Sequence, residues 1–73
     1  MKENKRERFV RIAEARTNKA LDNIRLLGNC ANKINYEYNE EDIKKIFNAL
    51  EKQIKTTRNK FLGIAEADER FFL

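Results

Sequence analysis

Lys45, Lys52 and Lys55 are spaced so that a helix would project them together, with Asn59 one further turn along. Lys44, Asn48 and Arg58 lie beside them, and Glu51 interrupts the patch. Clustered cations of this kind can neutralise nucleic-acid phosphates, releasing counterions, so the binding they support weakens steeply with salt. A solvated face with charge pairs four residues apart has the same spelling. A second basic group, Lys5, Arg8, Arg16 and Lys19, falls opposite an apolar stripe in the first half of the chain, and Lys2 and Arg6 extend it. No helix-turn-helix reader of base edges is evident, because the connection between the two basic stretches is too long for that motif's short turn. Phosphate contact is therefore the nucleic-acid chemistry these residues could do.

Catalytic chemistry lacks its parts. There is no histidine, one cysteine and no glycine-rich phosphate loop, so a non-enzyme with no cofactor, no metal and no small-molecule substrate is expected. Cys30 follows a helix C-terminus, where the dipole disfavours a thiolate, and reads as a small turn residue. Tyr36 and Tyr38 combine an apolar body with a polar tip, which suits either packing over the helices or anchoring a protein partner. Phe71, Phe72 and Leu73 close an acidic tail with three large apolar groups, either to fold back over a groove or to anchor another protein.

Two long periodic stretches must position these groups. Val10, Ala13, Thr17, Ala20, Ile24 and Leu27 recur at steps of three and four, predicting a helix near 5–27 that Gly28 ends in the left-handed conformation. Ile43, Phe47, Leu50, Ile54, Thr57 and Phe61 repeat in strict heptad spacing, predicting a helix near 40–61. Asn39 caps it, Glu40, Glu41 and Asp42 suit the positive end of its dipole, and Gly63 stops it. In the loop 28–39, Ile34, Tyr36 and Tyr38 alternate with polar residues, as in a short extended run placing three apolar groups on one side. Residues 62–73 form the tail.

The whole chain, 73 residues with 41% hydrophobic and 38% charged content, fits one all-α domain: an antiparallel two-helix hairpin with an ordered connecting loop and a short C-terminal segment. So small a core is marginal alone, and with one cysteine no internal disulfide can staple it. A homodimer completing a helical bundle is expected. The absence of a secretory pattern or long apolar run argues for a cytoplasmic protein without membrane contact. Net charge is +4, and it is segregated. Residues 1–19 carry seven basic and three acidic groups, and residues 43–61 six and one, whereas the stretches between and after them are acidic.

The stretch from Arg8 to Lys19, the block from Leu27 to Lys33 and the run from Tyr36 to Asp42 resemble a family of short uncharacterised bacterial proteins found in phage, plasmid and conjugative elements. The resemblance covers about residues 5–61. It implies an accessory or regulatory role in a mobile element and assigns no site residue. Two functions follow as expectations: nucleic-acid contact through the basic faces, or inhibition or adaptation of a host, phage or defence protein through Tyr36, Tyr38 and the terminal Phe71, Phe72 and Leu73.

Overall fold

A computed structural model describes residues 2–64. The fold is all-α, as the periodicity predicts, with helix α1 over Lys5–Gly28, a 3₁₀ turn over Asn29–Ala31 and helix α2 over Glu40–Leu62. The chain divides into two compact units, Met1–Glu37 and Tyr38–Leu73. Among the described residues no side chain is fully buried.

In the first unit, Asn4 starts α1. Its Oδ1 accepts the Glu7 backbone N–H at 2.7 Å and its Nδ2 donates to Glu7 Oε1 at 3.2 Å, so one side chain satisfies an otherwise orphan donor and tethers the first-turn acid. Glu3, just outside the helix, folds back along it to Arg11. The α1 terminus departs from expectation. Gly28 is right-handed, with φ −58° and ψ −27°, and the chain continues into the 3₁₀ turn instead of stopping. Tightening to 3₁₀ lets the Asn29 N–H reach the carbonyls of Leu26 and Leu27, which satisfies the helix end without a left-handed residue.

The connection is also a turn where an extended run was expected. Asn32 Oδ1 accepts the Ile34 N–H at 3.0 Å, and the Asn32 carbonyl accepts from Asn35 at 3.2 Å and Tyr36 at 2.9 Å. This asparagine turn breaks the alternation at its middle. Ile34 consequently stands 93% exposed, and Tyr36 54%, in place of a shared apolar edge.

In the second unit, Asn39 and Asp42 close a reciprocal capping box. Asn39 Oδ1 accepts the Asp42 N–H at 2.9 Å, and the Asn39 N–H donates to Asp42 Oδ2 at 3.1 Å. At the other end Gly63 is left-handed, φ 71°, with its N–H donating to Lys60 at 3.3 Å and the Ile64 N–H to Asn59 at 3.0 Å. Those two bonds form a Schellman motif.

The two glycines therefore predict substitutions of opposite sign. A Cβ at Gly28 meets nothing within 4 Å in a right-handed helical backbone, so Gly28→Ala stabilises by about 0.5–1 kcal/mol. Gly63→Ala, with equally open space, costs about 1–2 kcal/mol because its φ is left-handed. Thermal melts of the two variants followed by circular dichroism should move in opposite directions; a shared direction contradicts the assignment of their conformations.

Candidate nucleic-acid interface

At about 100° per residue, the α2 seam of Ile43, Phe47, Leu50, Ile54, Thr57 and Phe61 is a narrow stripe. Lys45, Lys52 and Asn59 lie diametrically across the helix from it, with Asn48 and Lys55 beside them. Arg58 sits apart from the other three predicted cations, close to the edge of the seam. All four cations are exposed. From Lys45 to Lys55 the axis rises about 15 Å, which spans roughly four phosphates of one strand of a duplex at one per ~3.4 Å.

The local acids leave this face cationic. Asp42 is held in the capping box, and Glu40 and Glu41 share the first turn with it, at the positive end of the helix dipole. Glu41 and Glu51 stand four residues before Lys45 and Lys55, a spacing that favours helix, yet neither pair closes as a salt bridge among the described residues. Thr57, the polar member of the seam, receives a hydrogen bond from Gln53 Nε2 at 3.2 Å.

On α1 the predicted group Lys5, Arg8, Arg16 and Lys19 is exposed and forms one band, but its position needs correcting. It flanks the stripe of Val10, Ala13, Thr17, Ala20, Ile24 and Leu27 and does not oppose it, and half-buried Ile12 lies within the band. The physical reason is the step of about 100° per residue, which centres Lys5, Arg8, Arg16 and Lys19 roughly 110° from the middle of the stripe and not 180° from it. The α1 band is thus interrupted by a large apolar group, whereas the α2 face is bordered by the small Ala49 on one edge and by Glu51 on the other. Other arginines of α1 have local partners. Arg25 Nη1 bonds Asp22 Oδ1 at 2.7 Å, and the Arg6 guanidinium sits 5.8 Å from the Phe9 ring centroid in a cation–π contact.

Glu3 and Arg11 form a fork that sequence spacing did not reveal. Arg11 Nε meets Glu3 Oε1 at 2.8 Å and Arg11 Nη2 meets Oε2 at 2.9 Å, a bidentate pair. The eight-residue separation lies outside the three-and-four rule because Glu3 precedes the helix. The Arg11 hydrogen bonds hold the Glu3 carboxyl below the usual glutamate range, and Glu3 raises Arg11 in turn. A lowered folded-state value means the pair's contribution is present above the ordinary glutamate pKa of about 4.3 and is lost as pH falls through the lowered value. In an NMR titration, the Glu3 carboxyl should show a midpoint below that of a free glutamate, and Arg11→Gln should return it to normal. An unshifted midpoint in the unsubstituted chain would dismiss the fork as a solution feature. Solvent screening keeps any effect on stability small.

The remaining predicted residues are dispersed. Tyr36 is exposed on the connection in the first unit, while Tyr38 is half-buried and opens the second. Phe71, Phe72 and Leu73 lie outside the described residues. No described helix is long and apolar enough to cross a membrane. No group of three or more potential metal ligands occurs among the described residues. All-α, with exposed lysines gathered on one helix face, is the class that fold and site define. No family model, curated protein or solved structure matches the chain.

Proposed function

We propose that this chain is a non-catalytic accessory protein of a mobile element that binds nucleic acid through phosphate contacts on α2. The observation that carries the reading is the α2 face itself: exposed Lys45, Lys52 and Lys55, with Asn48 and Asn59 beside them, lie across the helix from the apolar seam. Lysines supply mobile point charges and the asparagines neutral donors, a combination that tracks a backbone without reading bases. The α1 band of Lys5, Arg8, Arg16 and Lys19 is a second, weaker contact. The mobile-element setting rests on the family resemblance alone.

Fluorescence anisotropy with labelled duplex and single-stranded oligonucleotides across a salt series tests this. Three phosphates neutralised on duplex correspond to a log–log salt slope near −3, so affinity should fall roughly 40-fold between about 50 and 200 mM salt. A flat salt response would sink it.

One observation favours a second reading, the exposure of Ile34 and Tyr36 together on the connection. An aromatic with an aliphatic neighbour suits an anchor for a host or phage protein. Capture through this pair would tolerate salt and be lost on Tyr36→Ala, leaving nucleic-acid affinity unchanged.

A further inference from the structure

The α2 seam is apolar, regular and exposed: Phe47 is 46%, Ile54 50% and Phe61 71% accessible. Written as heptads, Phe47, Ile54 and Phe61 occupy position a, and Ile43, Leu50 and Thr57 position d. A 4-3-4-3-4 spacing held over nearly three heptads is what a partner helix needs for knobs-into-holes packing, because it keeps the stripe facing one neighbour along its length. The Thr57 hydroxyl, its one polar group, already has Gln53 as a partner.

The flanking positions select the occupant and its direction. Position e holds Lys44, Glu51 and Arg58, and position g holds Ile46, Gln53 and Lys60. In an antiparallel pair of α2 helices with the whole seam overlapped, Lys44 would face Arg58 of the second copy, twice, and Glu51 would face its own counterpart. Those are all like-charge contacts, which destabilise. Sliding that pair by one heptad relieves the repulsion but leaves two of the six seam positions uncovered. In a parallel pair in register, Ile46 faces Glu51 of the second copy and Gln53 faces its Arg58. No like charges meet, and all six seam positions are covered.

We infer that α2 pairs with α2 of a second copy of this chain, parallel and in register, through the seam from Ile43 to Phe61. The pairing does not depend on nucleic acid. It leaves Lys45, Lys52 and Asn59, at the outermost heptad position, facing away from the partner helix, so each copy keeps its cationic face.

Disulfide mapping on the full chain tests direction and register. With Cys30→Ser as background, Ile43→Cys and Thr57→Cys are made singly, at opposite ends of the seam. Facing d positions of a parallel pair come within the Cα separation of about 4.4–6.8 Å that a disulfide spans. Mild oxidation should convert most of either variant to a species of twice 8.7 kDa, with Ala49→Cys, off the seam, as the uncrosslinked control. An antiparallel pair crosslinks neither single variant, and that result overturns the inference. Light scattering on the unsubstituted chain, which needs no variant to fold, should give twice 8.7 kDa at roughly 10–100 µM, the range of weak association. A mass of 8.7 kDa there overturns it as well and assigns the seam to another segment of the chain or to a different partner.

Discussion

Reversing Lys45, Lys52 and Lys55 to glutamate in one chain is expected to lower nucleic-acid affinity at least 100-fold at about 50 mM salt and to flatten its salt dependence. Three counterion-releasing contacts disappear and three repulsive charges replace them. Neutralising Lys52 alone, as Lys52→Gln, should shift the log–log slope by about one unit, equally for unrelated sequences, because a phosphate contact carries no base information. The variant is a fair test of the face. None of the three positions belongs to the seam, and none takes part in the capping box or the Schellman motif that end α2. Helicity by circular dichroism should therefore fall only slightly, since the new repulsions with Glu41 and Glu51 at four-residue spacing cost about 0.2–0.5 kcal/mol each. Reversal of Arg8, Arg16 and Lys19 on α1 is the matching arm and should cost less, because Ile12 divides that band. If the α2 reversal leaves affinity and slope unchanged while the α1 reversal removes them, the interface has been placed on the wrong helix.

What was legible in the sequence follows from how local each determinant is. Both helices were visible because their signals are periodic over many residues, and the α2 boundaries were visible because Asn39, Asp42 and Gly63 act within one turn of themselves. The α1 terminus departs from the pattern at Gly28, since a glycine permits the left-handed conformation without requiring it and the following turn offers another way to satisfy the last carbonyls. The connection departs from its pattern for a related reason. Alternation of Ile34, Tyr36 and Tyr38 is only a pattern, and a single side-chain oxygen on Asn32 overrode it with a local hydrogen bond. The Glu3–Arg11 fork joins a residue before the helix to one two turns inside it, so no spacing rule finds it. Relative position on one helix depends only on residue number, so spacing alone places Lys45, Lys52 and Lys55 together and sets Arg58 apart from them. The same arithmetic puts the α1 band beside its apolar stripe and not across from it.

The second large effect concerns the seam, since Phe47→Asp combined with Ile54→Asp should remove most of the α2 helicity. Helical stability in proteins comes mostly from packing of an amphipathic face and less from propensity, and α2 carries several β-branched residues that weaken its propensity. Its caps fix the ends, but what sustains the interior is burial of the apolar stripe against another surface. Full burial of each such side chain is worth about 1.5–3 kcal/mol, so losing two outweighs what caps and dipole contribute at about 1 kcal/mol apiece. Because α1 has 24 residues and α2 has 23, loss of α2 should take about half the helical signal. The unsubstituted chain should lose helicity on dilution if a second copy supplies the covering surface, and hold it if the surface lies within the same chain. A doubly substituted chain that keeps its full helical signal at micromolar concentration would mean that α2 stands on its caps and charges alone, and the seam would then carry no folding role.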